Sequence, residues 1–235
     1  MNLKAARLPS RLILFCMLLT SSTPALLKAE VVAYWRFEEG ITDTPASGAN
    51  SIVDSSGHSL NGTPFSGPVY RANVPSFGNV NADALSLEFN GLNQRVFVPD
   101  DPQLRLTQSL TIEAFIYARP LPPGEIGADI LVRSDDRSGL DPYRLTLQFT
   151  GGLLFQVMNA SGQFAGITAN VSFNEWHHVA GTLDDATGIM NLYIDGNLAN
   201  STTTTTLCSF GAEPESWLRH RGPKFGQPRF WPGVL

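Results

Sequence analysis

Three kinds of group in this sequence could do chemistry: carboxylates on extended segments, two adjacent histidines, and acid-rich loops. Glycoside hydrolysis needs two carboxyl groups, about 5–5.5 Å apart for retention and about 6.5–9.5 Å for inversion. Along a strand, residues i and i+2 share a face roughly 6.5–7 Å apart. Glu88 and Glu113 each stand as the lone acid of an alternating segment, so neither segment supplies such a pair. His177 and His178 are neighbours on another alternating segment. Neighbours on a strand point to opposite faces, so these two cannot share one metal or one proton. No Ser/His/Asp spacing, Gly-rich phosphate loop or paired-Cys motif is legible. The residues therefore point away from an enzyme.

The acidic loops suit calcium, which takes several oxygen ligands. One group contains Glu38, Glu39, Asp54 and Asn61; the other contains Asp135, Asp136 and Asp141. The expected calcium ligands are Glu38, Asp54, Asp135, Asp136 and Asp141, although a solvated acidic loop explains the second group equally well. A ligand surface needs exposed aromatics flanked by polar groups. Arg137, Tyr143, Arg144 and Phe164 are expected to supply it, from loops and strand ends at a sheet rim. Asn61, Asn159, Asn170 and Asn200 open Asn-x-Ser/Thr sequons, which matter only in a eukaryotic secretory route.

The elements that must position these groups are strands. Of 235 residues, 43% are hydrophobic and 16% charged, enough apolar content for a real core and too much for disorder. The 21 Gly and 16 Pro favour many turns over long helices. The net charge of −5 excludes a general nucleic-acid binder. Period-2 segments recur at 31–37, 84–89, 95–98 and 110–118, and then at 129–133, 143–149, 153–158, 164–171, 176–183, 191–194 and 198–205. Asn90-Gly91, Gly151-Gly152 and Asp195-Gly196 mark tight turns. Many short strands with turns between them predict an all-β protein, a two-sheet antiparallel sandwich. Residues 40–82 read as long loops crossing its edge. Trp176, opening a strong strand, is expected to anchor the core.

The first 29 residues carry four cations, no acid and the apolar run Leu12–Leu19, and so read as a signal peptide. The mature chain then has no membrane span and is expected to be secreted, extracellular or in the cell envelope. Cys208 is its one cysteine, so no internal disulfide forms.

Four motifs in order carry a resemblance. They are Ala33–Gly40 with Asp54–His58; Leu87–Gly91 with Val96–Pro99; Ser109–Ile116; and Trp176–Leu183 with Leu192–Asn197. Together they resemble the LamG-like jelly-roll family of the concanavalin A-like lectin/glucanase superfamily, over residues 31 to about 205. The resemblance implies a jelly roll at 30–207 that is secreted and binds carbohydrate or an extracellular protein without catalysis. Laminarinase-like members of that superfamily carry a Glu-x-Asp-x-x-Glu strand, and none occurs here. A degenerate polysaccharide hydrolase and a purely structural module of a larger surface protein are the alternatives. Residues 208–235 depart from the pattern: 219–235 hold four cations and no acid. They are expected to be an atypical, truncated or frame-shifted segment lacking the last strand, which relatives pair with 31–37.

The leader is checked by N-terminal sequencing of exported protein. The expected first residue is Glu30; a chain beginning at Met1 would overturn it.

Overall fold

The computed structural model describes residues 30–76, 83–134, 141–210 and the backbone of 229–230. The strands are β1 (Thr63–Phe65), β2 (Val69–Arg71), β3 (Ser86–Glu88), β4 (Arg95–Phe97), β5 (Leu110–Tyr117), β6 (Gly127–Arg133), β7 (Tyr143–Gln148), β8 (Gly152–Met158), β9 (Phe164–Asn170), β10 (Trp176–Asp184), β11 (Ile189–Ile194), β12 (Asn197–Thr203) and β13 (Arg229–Phe230). Among the described residues the one helical element is the 3₁₀ turn Pro102–Leu104, and no helix is long and apolar enough to cross a membrane. The expected all-β fold is borne out.

The strands form a seven-stranded sheet in the order β1-β4-β13-β6-β7-β8-β9 and a four-stranded sheet in the order β12-β11-β10-β5, with β2-β3 as a separate pair. All pairings are antiparallel. Alternation decides what lies between the two large sheets. Leu110, Ile112 and Ile116 from β5, Val179 and Leu183 from β10, and Leu192 from β11 meet Leu145, Leu153, Phe155 and Val157 from the facing sheet. Each is almost wholly removed from water, which is the dominant favourable contribution to folding. Gly181 is dictated by this contact. A Cβ there would lie 2.4 Å from Cγ of the Phe155 ring, so only glycine lets that ring pack against β10.

A second core gathers Phe37, Ile52, Leu60, Tyr70, Leu87, Phe89, Val96 and Val98. Here the sequence expectation fails twice. Residues 31–37 form no strand; Trp35 makes only an isolated bridge to Asp54. The cause is local. Phe37 has φ 62, outside the extended region, and the chain before it is held by a side chain. The Asp54 carboxylate accepts the Tyr34, Ser56 and Leu60 N–H groups at 2.9–3.0 Å and the Ser56 hydroxyl at 2.8 Å. The 40–82 loops also contain two real strands, β1 and β2. Each is three residues long and the two are separated by Ser66-Gly67-Pro68, which hid their period.

Asp54 is buried, which pushes its pKa up, but its four donors outweigh that and hold it below the usual carboxylate range. Its contribution to stability is therefore full above the unfolded value, about 4, and is lost as pH falls through the lower folded value. Asp54→Asn is expected to cost about 2–4 kcal/mol at pH 7, with the gap to wild type narrowing by pH 3. Urea melts at the two pH values check it; an equal cost at both would contradict this account.

Candidate binding surface

The outward face of the four-stranded sheet is built by the residues that alternation turns away from the core. On β5 these are Thr111, Glu113, Phe115 and Tyr117; on β10 they are Trp176, His178, Ala180 and Thr182. Register sets them side by side: Tyr117 opposite Trp176, Phe115 opposite His178, Glu113 opposite Ala180. Ala180 in turn faces Tyr193 of β11. The result is a strip of rings with polar groups at its margins. Tyr117 and Trp176 meet edge to face with centroids 5.7 Å apart, and Phe115 and His178 lie 4.9 Å apart. Phe115 stays 39% exposed. The Trp176 indole N–H donates to Asn73 Oδ1 at 3.1 Å. The expectation that Trp176 anchors the core is corrected: it is half-buried on the outer face, because the partners inside are His177, Val179, Gly181 and Leu183.

Polar groups of the strip are held in place. His178 Nε2 lies 3.5 Å from Glu113 Oε2, and this pairing keeps the Glu113 carboxyl below its usual range despite partial burial. The Tyr193 hydroxyl accepts from Asn191 Nδ2 at 3.2 Å, and Asn191 Oδ1 accepts from Ser201 at 2.7 Å.

An alignment that the sequence did not disclose fixes the strip from beneath. His177 is buried; its Nδ1 lies 2.8 Å from Asp195 Oδ2 and its Nε2 lies 2.9 Å from Ser172 Oγ. Asp195 also accepts the His178 N–H at 2.9 Å and donates its own N–H to the His178 carbonyl at 2.8 Å. Burial opposes the Asp195 charge, but these bonds prevail and its pKa is lowered. Order and geometry match a nucleophilic triad. However, Ser172 also donates to Glu175, and that carboxylate competes with His177 for the single hydroxyl proton. We read the three residues as a clasp. It ties the start of β10 to the β11–β12 turn, and so sets Trp176 and His178 on either side of His177. Ser172 and Asp195 lie 23 residues apart on separate elements, which no local spacing reveals.

Beyond Tyr117 the alternation continues through buried Ala118 to exposed Arg119. Arg119 pairs with Glu88, and Arg71 pairs with the other oxygen of the same carboxylate. Burial resists the Glu88 charge, yet the two guanidinium groups hold its pKa low. These residues line a groove of about 410 Å³ at the end of the strip. From Glu113 to Arg119 the strip runs roughly 20 Å.

The residues expected from sequence fall elsewhere. Tyr143 is 3% exposed and donates its hydroxyl to the Leu104 carbonyl at 2.7 Å; burial raises its pKa. Arg144 is on the outer face of the seven-stranded sheet, bonded to Gln156 and near Asp141. Phe164 is exposed at the edge strand β9. Arg137, Asp135 and Asp136 lie outside the described residues. Register places Arg144 and Phe164 on the same outer face of the seven-stranded sheet, two strands apart across Gln156, whereas Tyr143 points inward and is no part of that surface.

Of the five expected calcium ligands, Glu38, Asp54 and Asp141 lie among the described residues, and each already accepts from protein donors. All four acceptor positions of Asp54 are filled by protein donors, and Glu38 Oε1 accepts the Ala84 and Leu85 N–H groups. Asp141 accepts from Ser134. Among the described residues no cluster of three or more His, Cys, Asp or Glu is placed to hold a metal.

Comparison with known proteins gives a consistent fold. A family model described as the concanavalin A-like lectin/glucanases superfamily matches residues 90–235. The non-toxic nonhemagglutinin type A of Clostridium botulinum is 28% identical over 211 residues, 88% of this chain and 16% of that protein. This chain therefore spans about a sixth of that relative. The binding domain of Paraclostridial Mosquitocidal Protein 1 superposes with a TM-score of 0.51 at 14% identity, over 84% of this chain and 49% of that one. The receptor binding domain of botulinum neurotoxin D gives a TM-score of 0.47 at 15% identity, over 82% and 44%.

The clasp is tested by His177→Ala, which leaves Asp195 without its buried partner. The expected loss is about 2–3 kcal/mol in urea unfolding; a change below about 0.5 kcal/mol would show that the clasp holds nothing.

Proposed function

This chain belongs to the concanavalin A-like lectin/glucanase superfamily, and from that premise we propose that it is a non-catalytic, secreted binding module whose ligand is carbohydrate, held along the outer face of β5 and β10. One observation carries the reading: register brings Tyr117, Trp176, Phe115 and His178 together as half-exposed rings on a rigid sheet, with Glu113, Asn191 and the Tyr193 hydroxyl beside them. Pyranose rings have an apolar C–H face and a hydroxyl rim. Aromatic faces take the first, and fixed donors and acceptors take the second. The sheet supplies these groups preorganised, so little ordering entropy is lost on binding. The likeness to the binding domain of Paraclostridial Mosquitocidal Protein 1 supports a recognition role.

Trp176→Ala and Tyr117→Ala are expected to abolish retention on an immobilised glycan panel, a loss of about 2 kcal/mol or roughly thirty-fold in affinity. Removing the edge-to-face pair should cost only about 1 kcal/mol of stability, or roughly 2–4 °C in Tm. Unchanged glycan retention in both variants would refute the reading.

A further inference from the structure

We propose that the groove at the Arg119 end of the strip takes the carboxylate of an acidic sugar, which makes the ligand class a uronate-bearing glycan; this rests on the strip being the glycan surface. The groove lining contains Arg71 and Arg119 with Glu88 between them, and Asp43 pairs with Arg71 from just outside it, so the cluster is charge-balanced and what it offers a ligand is directed guanidinium N–H groups.

The donor inventory agrees. Each guanidinium carries five N–H groups. Arg71 commits Nε to Glu88 and Nη1 to Asp43, the latter at 2.6 Å, and Arg119 commits Nη2 to Glu88. Both side chains remain about two-fifths exposed, 40% and 45%, so each retains N–H groups for a ligand. Arginine is the side chain best matched to a carboxylate, through paired parallel hydrogen bonds. Glu88 sits between the two and keeps both heads at the groove rather than free in solvent.

The walls are fixed as well. Asn90 Oδ1 accepts the N–H groups of Leu92, Asn93 and Gln94, closing the turn. Gln94 Nε2 donates to the Ser66 and Gly67 carbonyls at 3.2 and 2.8 Å. Gly91, at φ +77, leaves room for Pro122: a Cβ would stand 2.7 Å from the Pro122 ring. That contact sets the Pro120–Pro122 segment as an apolar wall beside the charges. At about 410 Å³ the groove falls in the range of small-ligand sites, about 300–1,000 Å³. A pyranose bearing a carboxylate matches both halves of this lining, its ring on the proline wall and its charge on the arginines.

The test is calorimetric titration of the full chain with neutral hexose tetrasaccharides and with hexuronate tetrasaccharides of matching configuration. The uronates are expected to bind at least ten-fold more tightly at low salt, with the advantage shrinking in 0.5 M NaCl. Arg119→Gln and Arg71→Gln should each remove most of that advantage, lowering uronate affinity far more than neutral affinity, and keep Tm within a few degrees. Neutral and acidic ligands binding equally, with both lost in Trp176→Ala, would overturn this inference and leave the strip intact. An advantage that survives in both arginine variants would overturn it too. If no tetrasaccharide of either kind binds, the strip reading fails and takes this inference with it.

Discussion

The structure depends on the strand β10 having all four of its sides committed. Its edges are paired, to β5 over eight residues and to β11 over six. Its inner face places Val179, Gly181 and Leu183 against the core, with Phe155 pressed onto Gly181. Its outer face must then hold Trp176, His178, Ala180 and Thr182, because side chains alternate without exception along an unbulged strand. A shift of one residue would send Trp176 and His178 inward and Val179 and Leu183 into water. The His177–Asp195 bond opposes that slip at the end where the rings lie.

That commitment links stability to recognition. The core term comes from burial between the sheets, and the recognition surface is its mirror image on the same strands. The polar groups around the strip mostly find one another: Glu113 with His178, Asn191 with Tyr193 and Ser201. They hold the rings at fixed positions while leaving their faces partly open. At the groove end the same pattern recurs with full charges, Glu88 binding Arg71 and Arg119. The strip therefore runs from a neutral aromatic region to a charged one along a single strand direction.

Much of the fold was legible because it rests on period-2 alternation. The segments around Leu110–Tyr117 and Trp176–Asp184 alternate cleanly, and the structure pairs them. Where the period was short or broken, the sequence misled: β1 and β2 are three residues each, and Val31–Phe37 alternates yet is held by Asp54 in a non-strand path. The site was less legible. Alternation had already grouped Trp176 with His178 on one face, but which face looks inward is decided by the partner sheet. Tyr143 stands beside polar residues as a rim aromatic would, yet its hydroxyl donates to the Leu104 carbonyl from inside the core. The Ser172–His177–Asp195 clasp and the Arg71–Glu88–Arg119 clamp each join distant elements, so no spacing rule could have found them.

The central claim, that the outer face of β5 and β10 is the ligand surface, is read most directly by NMR. Titrating a bound oligosaccharide into isotopically labelled protein should move the Trp176 indole N–H and the His178 and Phe115 ring resonances first. Amides on the outer face of β7 and β8, on the opposite sheet, should stay still. Shifts confined to Arg144, Gln156 and their neighbours, with the Trp176 indole unmoved, would place the ligand on the other sheet and contradict the account.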